Sequence, residues 1–358
     1  MKTRQLIIIA IAFLFSISAN AKGGQDRIST MVAAVQLQAS DVGNFDKMKS
    51  LAAAAKQQGA QLVIFPESSI FGWLNPAVFT EAEPIPGKFS DQFSAIAKSV
   101  NIWVAAGIEE KGPKAGPGSL PNAYQAYDSG ILINPQGELV LHHRKYNVLK
   151  NAFNPDDCKK ILGQDQCSYT EGSLSDIAVV QTPFGKTSLM VCADAYIPSQ
   201  YNTGYALKTL KALSPEFVIV PWGITAGTQR ECGTSGFNAT GYASEAASFL
   251  KSAFVIGANG VGQRIYGQHL PSVYCGTSGY ADPTGHRVEA TNPTEELVLF
   301  TVSNTFAAEA GPILNNAVDA PKKCPNTCAT YNAKWDGQWW TTVWGKMSVC
   351  ECIKNGTN

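Results

Sequence analysis

The sequence predicts an α/β fold in which a mixed sheet is covered by helices. Between residues 31 and 302, segments with helical character alternate with short apolar runs. Three pairs of these runs flank residues 134–137, 182–185 and 282–285, which read NPQG, TPFG and DPTG. Asn, Asp, Pro and Gly at such positions favour tight turns, so each pair is a predicted hairpin. Alternating helices and strands with inserted hairpins are typical of a mixed sheet packed against helices.

The predicted elements follow one another along the whole of this region. Residues 62–65 (LVIF) are apolar at every position, which predicts a buried strand, and residues 45–58 form an Ala-rich helix. The predicted strands span residues 31–36, 62–65, 102–108, 124–133, 138–142, 177–181, 187–191, 217–220, 253–258, 278–281, 287–290 and 296–302. The predicted helices span residues 45–58, 89–99, 201–213 and 242–251.

Composition excludes several classes of protein. The chain has 358 residues, 45% of them hydrophobic and 16% charged, with 28 Lys and Arg against 28 Asp and Glu. A balanced charge gives no basic field for nucleic acid, so we expect no nucleic-acid partner. The 19 Pro and 32 Gly are ordinary for a globular protein. A chain of this length can bury a large core without a metal.

The first twenty-one residues are a predicted signal peptide. Lys2 and Arg4 precede an apolar run at residues 6–17, and Ala19-Asn20-Ala21 is a small-x-small cleavage site. The run is shorter than the ~20 residues that a membrane span needs. We therefore expect a secreted or periplasmic protein with no membrane association after the signal is removed.

Nine cysteines, an odd number, favour disulfides with one thiol left over in an oxidising compartment. Cys192 is the predicted free thiol, because it ends the apolar run at residues 188–191 while the others lie in polar, Gly-rich or C-terminal segments. A four-Cys zinc site near the C-terminus is the alternative, but its spacing differs from the usual Cys-x2-Cys.

Residues 304–358 form a predicted Cys- and Trp-rich extension. They show little helical or strand periodicity. Trp335, Trp339, Trp340 and Trp344 provide either a ligand surface or, as the simpler interpretation, packing against the main domain.

Three residues with complementary chemistry each end a strand-like run. Glu67 follows residues 62–66, Lys145 follows residues 139–144, and Cys192 follows residues 189–191. Strand ends in open α/β sheets form the crevice that binds ligands, so these residues are expected to meet there. Singly, each has an ordinary alternative as a surface charge or a buried thiol.

The trio suits attack on a carbonyl carbon. A carboxylate can take the proton of a thiol, and an ammonium stabilises the anion that forms on attack. Burial alone would lower the pKa of the lysine, whereas a nearby carboxylate raises it. Glu67, Lys145 and Cys192 are therefore the predicted catalytic residues, and this chemistry requires no metal and no organic cofactor.

Five sequence blocks make the chain resemble the nitrilase superfamily of carbon-nitrogen hydrolases over about residues 29 to 303. The blocks are VIFPE at 63–67, HRKY at 143–146, PFGK at 183–186 leading to MVCAD at 190–194, VPW at 220–222 and GYADPTG at 279–285. The resemblance implies a four-layer α-β-β-α sandwich over residues 22–303. It also implies Glu67 as general base, Lys145 as oxyanion stabiliser, Cys192 as nucleophile, and a homodimer.

The same resemblance extends to residues around the nucleophile. It implies that the Ala193 N–H helps to hold the oxyanion and that Asp194 has a structural role. Tyr196 and Trp222 follow strand-end motifs and are predicted to bind substrate. One feature departs from the family. Many members have a second active-site Glu between the Lys and the Cys, where this chain has only Glu171 and a loop at 151–158 reading NAFNPDDC.

We therefore predict an exported, thiol-dependent hydrolase that cleaves a non-peptide carbon-nitrogen bond of a small amide through an acyl-enzyme. A nitrile hydrolase and a non-catalytic binding protein on an inactivated hydrolase fold are the alternatives. A papain-like peptidase is not supported, because the four His lack the sequence context around Cys that such enzymes need. A serine hydrolase is not supported either, because the chain has no Gly-x-Ser-x-Gly match.

Overall fold

The computed structural model describes residues 29–198, 204–290, 292–313 and 318–354. The predicted signal peptide at residues 1–21 lies outside the described residues. Among the described helices, none combines the length and the apolar character that crossing a bilayer requires.

The described chain contains eighteen strands and seven α-helices. The strands are β1 (Ser29–Gln36), β2 (Leu62–Ile64), β3 (Trp103–Lys114), β4 (Tyr124–Ile133), β5 (Leu139–Arg144), β6 (Val179–Thr182), β7 (Gly185–Leu189), β8 (Phe217–Trp222), β9 (Thr225–Ala226), β10 (Phe254–Asn259), β11 (Val261–Arg264), β12 (Ser272–Cys275), β13 (Gly279–Ala281), β14 (Arg287–Glu289), β15 (Glu296–Ser303), β16 (Thr305–Gly311), β17 (Lys334–Val343) and β18 (Met347–Ile353). The helices are α1 (Phe45–Gln57), α2 (Val78–Glu81), α3 (Lys88–Val100), α4 (Pro155–Leu162), α5 (Tyr205–Ala212), α6 (Ala239–Leu250) and α7 (Ala320–Ala329).

Two six-stranded mixed sheets form the centre of the molecule. One has the strand order β15-β1-β2-β3-β4-β5, and the other has the order β14-β13-β10-β8-β7-β6. Helices α1 and α3 pack on the first sheet, and α5 and α6 pack on the second. The predicted four-layer α-β-β-α sandwich is confirmed.

The layers follow from strands that are apolar on both faces. In β2, Leu62 and Ile64 contact the opposite sheet, whereas Val63 faces the helices α1 and α3. In β8, Phe217 and Ile219 contact the first sheet, whereas Val218 faces α5 and α6. Because side chains alternate along a strand, continuous apolar runs give each sheet two buried faces.

The prediction missed several elements. The small sheet β11-β12-β9 was not predicted, because its strands are short and partly polar. The segment expected to be a loop at 151–158 contains the start of α4, which Asn154 caps by accepting a hydrogen bond from the N–H of Asp156. The predicted helix at 201–213 begins, within the described residues, at Tyr205.

The extension is more regular than its weak sequence periodicity indicates. Strands β16, β18 and β17 form an antiparallel sheet in that order, and α7 packs against it. The two disulfides Cys324–Cys350 and Cys328–Cys352 join α7 to β18. Apolar periodicity is weak here because the half-cystines supply much of the small core.

Cysteine pairing agrees with the expectation of one free thiol. Two further disulfides join Cys158 to Cys167 and Cys232 to Cys275, and Cys192 is the only cysteine outside a disulfide. The zinc alternative is wrong, since its four cysteines are all oxidised and no cluster of potential metal ligands occurs in the described ranges.

Candidate active site

The three predicted catalytic residues meet at one edge of the sandwich. Glu67 lies just beyond β2, Lys145 directly follows β5, and Cys192 lies just beyond β7. The ammonium of Lys145 contacts the carboxylate of Glu67. Lys145 and Cys192 line the same cavity, which has a volume of about 700 Å³. Strand ends thus bring together residues that are far apart in the sequence.

Two glycines make room for Glu67. Its N–H donates a hydrogen bond to the carbonyl of Trp222 at 3.1 Å, so the backbone after β8 runs close beside it. A Cβ on Gly223 would lie 1.8 Å from Glu67 Oε2, and a Cβ on Gly107 would lie 2.4 Å from Glu67 Cα. The absence of a side chain at Gly107 therefore leaves room for the backbone of Glu67, and its absence at Gly223 leaves room for the carboxylate.

Cys192 sits on a strained turn at the start of a short 3-10 helix, Cys192–Ala195. Its φ is +43°, a value that non-glycine residues rarely adopt and that often marks a functional site. Burial raises the pKa of the Cys192 thiol and the Glu67 carboxylate raises it further, while Lys145 and the backbone of Gly223 oppose them. The thiol is therefore protonated at neutral pH and needs a base to react.

Asp194 ties the nucleophile's turn to the lysine's strand. Its carboxylate accepts hydrogen bonds from the N–H groups of Tyr146 and Asn147. Its Oδ2 also lies 2.7 Å from Nε2 of His143, and both side chains are buried. Asp194, two residues after Cys192, is therefore hydrogen-bonded to residues that precede and follow Lys145 in the sequence. These contacts are consistent with a structural role.

Lys145 has a second carboxylate partner that the sequence did not reveal. Asp128 Oδ2 lies 3.1 Å from Lys145 Nζ, and its side chain is fully buried. Burial alone would lower the pKa of the Lys145 ammonium, but Glu67 and Asp128 outweigh it and hold that pKa well above its usual value. Lys145 is consequently a permanent cation in a buried site.

Five aromatic side chains contribute to the cavity wall. Ala193 and Tyr196, both predicted to bind substrate, line it. Tyr196 stacks on Tyr242, with 4.2 Å between the ring centroids. The other aromatic residues of the lining are Trp73, Tyr146 and Tyr205.

The structure places the Trp222 side chain in the core instead of at the cavity. It is 1% exposed, and its indole fills the space that a Cβ on Gly257 would need. Only its backbone reaches the site, through the carbonyl that accepts from Glu67. The position of Trp222 at the end of a strand correctly indicated that its backbone lies near the site, but it did not indicate the direction of the side chain.

Glu171 does not supply a second carboxylate at the reacting groups. Its side chain is 51% exposed at the cavity mouth and pairs with Lys150 at 2.6 Å. Asp128 lies closer to the reacting groups. The one signal for it was an acidic residue in the predicted strand at 124–133.

Two family models match different parts of the chain. A family model described as carbon-nitrogen hydrolase matches residues 31–308, and a second, described as mannan-binding protein, matches residues 317–352. An omega-amidase of Mus musculus is 30% identical over 46% of this chain and 54% of its own length. A pantetheine hydrolase of Homo sapiens is 23% identical over 46% of this chain and 32% of its own length. The chain thus spans between a third and about half of these relatives.

Solved structures agree on the fold. A mutant of the Nesterenkonia AN1 amidase from the nitrilase superfamily superposes with a TM-score of 0.55 at 20% identity. The match covers 79% of this chain and 91% of that chain.

Proposed function

The chain belongs to the carbon-nitrogen hydrolase family, and from this premise we propose that it hydrolyses a small, uncharged amide through an acyl group on Cys192. The contact of Glu67 with Lys145, which lines the same cavity as Cys192, is the observation that carries the proposal. A base, a cation and a thiol at one cavity are the parts that such a reaction requires.

Acylation begins with the proton of the Cys192 thiol. Glu67 takes this proton as the sulfur attacks the amide carbon, so that a carbon-sulfur bond forms and the carbonyl electrons move to oxygen. Lys145 and the Ala193 N–H hold the oxyanion. Glu67 then passes its proton to the leaving nitrogen as the carbon-nitrogen bond breaks, which leaves a thioester on Cys192 and frees an amine or ammonia.

Deacylation follows the same order of proton transfers, with water in place of the thiol as the attacking group. Glu67 takes a proton from the water molecule as its oxygen attacks the thioester carbon. The carbon-sulfur bond breaks, the acid leaves, and the sulfur regains a proton from Glu67. A thiol whose pKa is raised by burial suits this cycle, because it is a reactive thiolate only while Glu67 holds its proton.

The lining of the cavity favours an uncharged substrate with an aromatic or apolar part. Each charged side chain that the structure describes there has a partner of opposite sign: Lys145 contacts Glu67, and Lys150 contacts Glu171. No lone charge is left among them to balance a charged substrate, whereas the aromatic wall offers contact area. We expect at least a tenfold higher kcat/KM for neutral amides than for anionic amides of the same size.

A screen of amides and nitriles tests the proposal. Release of acid together with amine or ammonia would be measured for wild type and for Cys192→Ala, with Ser175→Ala as an exposed control. We expect hydrolysis of at least one amide by wild type and the control, and none by Cys192→Ala. Activity on nitriles alone would favour a nitrile hydrolase. Inactivity on every compound, with saturable binding of one, would favour a non-catalytic binding protein.

We also propose that the protein is exported. Four disulfides in one chain are typical of an oxidising compartment, and residues 1–21 have the pattern of a signal peptide. Expression of the full chain in its host, followed by N-terminal sequencing of the secreted or periplasmic fraction, should give a mature protein that begins at residue 22. A full-length protein confined to the cytoplasm would contradict export.

The extension has a second candidate function, the binding of mannan. The match of residues 317–352 to a mannan-binding family motivates it. Near the hairpin between β17 and β18, Trp344 is 88% exposed and Trp340 is 44% exposed. Val343, which lies between them in the sequence, is 50% exposed, and an exposed patch of apolar side chains often marks a site of interaction.

Binding of mannan to the full chain tests this second function. Titration calorimetry should detect binding by wild type, a loss of at least tenfold in affinity for Trp344→Ala, and no change for Lys334→Ala at the far end of β17. Equal affinity of Trp344→Ala and wild type, or no binding by any of the three, would contradict it.

A further inference from the structure

Lys145 has two buried carboxylates around a single ammonium. Its Nζ contacts Glu67 and lies 3.1 Å from Asp128 Oδ2. The side chains of Lys145, Glu67 and Asp128 are 4%, 1% and 0% exposed. Burying a charge is costly unless it is paired, so a second anion beside a cation that already has a partner calls for a reason.

The backbone fixes Asp128 beside the lysine. Asp128 lies in β4, and its carbonyl accepts a hydrogen bond from the N–H of Lys145 at 2.8 Å. The neighbouring pair Ser129 and Arg144 continues the antiparallel ladder between β4 and β5. The position of the second carboxylate is therefore as firmly set as that of the lysine itself.

The proposed acylation step supplies a reason. When Glu67 takes the proton of Cys192 it becomes neutral, so Lys145 loses one anionic partner as the oxyanion forms. We propose that Asp128 is a positioning residue that keeps Lys145 in place as an ammonium while Glu67 carries the proton. This inference rests on the proposed function. The only proton that moves in the step passes from Cys192 to Glu67, and Asp128 is the anion beside Lys145 while Glu67 is neutral.

The charge of Asp128 has opposite effects on the two reacting groups Lys145 and Cys192. It raises the pKa of the Lys145 ammonium and so favours the cation. It also raises the pKa of the Cys192 thiol and so disfavours the thiolate. Burial and the charge of Glu67 hold the pKa of Asp128 itself well above its usual value, against the opposing charge of Lys145. The contribution of Glu67 disappears when Glu67 takes the proton of Cys192, so the anion of Asp128 is favoured at the step in which Lys145 has lost its other anionic partner. Asp128 also interacts electrostatically with Glu109 and Tyr169.

These opposite effects allow a test with two reactions of the same sulfur. Iodoacetamide alkylates a thiol by displacing iodide from a saturated carbon, so no oxyanion forms. Amide hydrolysis needs the oxyanion and hence Lys145. In Asp128→Asn, which keeps the size of the side chain and removes the charge, we expect kcat for the amide to fall at least tenfold. The alkaline limb of its pH profile should move to lower pH, and alkylation of Cys192 should be unchanged or faster.

Controls separate a positioning role from a structural one. Asp128→Glu restores the charge and should recover part of kcat, and the exposed Asp91→Asn should resemble wild type in both reactions. A parallel fall in alkylation and hydrolysis would mean that Asp128 only supports the structure. A wild-type kcat and pH profile in Asp128→Asn would also overturn the proposal. If Asp128→Asn does not fold, Asp128→Ser provides the same comparison.

The proposed function fails in a different way. It fails if wild type hydrolyses no amide, or if Cys192→Ala retains activity. Slower alkylation in Asp128→Asn contradicts the role of Asp128 whether or not an amide substrate is found.

Discussion

Replacing Gly223 by Ala should disable the site without unfolding the protein. The φ of Gly223 lies outside the left-handed region, so the backbone itself accepts alanine. The added Cβ would lie 1.8 Å from Glu67 Oε2, and Cβ contacts under 3.0 Å are essentially never seen. The carboxylate would have to move by roughly 1.2 Å to relieve the contact, and a misplacement of ~1 Å costs about 100-fold in rate.

A 100-fold loss of rate corresponds to about 2.7 kcal/mol of activation free energy. The measurement is kcat on the amide identified by the screen, with far-UV circular dichroism and thermal unfolding as checks on the fold. Gly116→Ala is the matched control, because a Cβ there meets no atom within 4 Å. We expect wild-type kcat for the control and a loss of about 100-fold for Gly223→Ala. A Gly223→Ala protein with wild-type kcat would refute the placement of Glu67 as the base.

Two further predictions concern stability. Burial raises the pKa of Glu109 to about 8, so the folded protein holds a proton that the unfolded chain releases, and stability falls as pH rises from about 4.5 to 8. Glu109→Gln should remove this pH dependence and be more stable than wild type at pH 8 by up to about 5 kcal/mol. Urea unfolding at pH 5 and pH 8 measures the free energy of unfolding of both proteins. The same change in that free energy between the two pH values for wild type and the variant would contradict the prediction. Replacing both Cys328 and Cys352 by Ala opens a disulfide with a sequence separation of 24 and should lower the free energy of unfolding by about 3 kcal/mol while kcat stays unchanged. An unchanged Tm would contradict this and show that the remaining Cys324–Cys350 disulfide and the packing of α7 are sufficient to hold the helix.

The sequence predicted the main fold well because its strands are strongly apolar. Runs such as residues 62–65 and 217–220 are buried on both faces, and burial of this kind leaves a clear signal in the amino acids. Glu67, Lys145 and Cys192 could be expected to meet because each follows such a run.

The parts that the sequence did not predict depend on contacts between distant segments. Asp128 points to Lys145 only because β4 and β5 pair in one register, and a single acidic residue in a strand does not reveal that partner. Trp222 lies in the core because Gly257 on the neighbouring strand leaves room for its indole. The extension gave no clear periodicity because two disulfides replace much of the apolar packing that would have produced one.

The central claim is that Cys192 carries the acyl group, and mass spectrometry of the acylated protein tests it most directly. A 4-nitrophenyl ester of the acyl group is suitable, because its leaving group needs no proton. Since Cys192 is the only cysteine outside a disulfide, an adduct on sulfur can be assigned without ambiguity. We predict one acyl group per chain, located by peptide mapping on Cys192 and absent from Cys192→Ala. An adduct on a different residue, or unchanged amide turnover by Cys192→Ala, would contradict the claim.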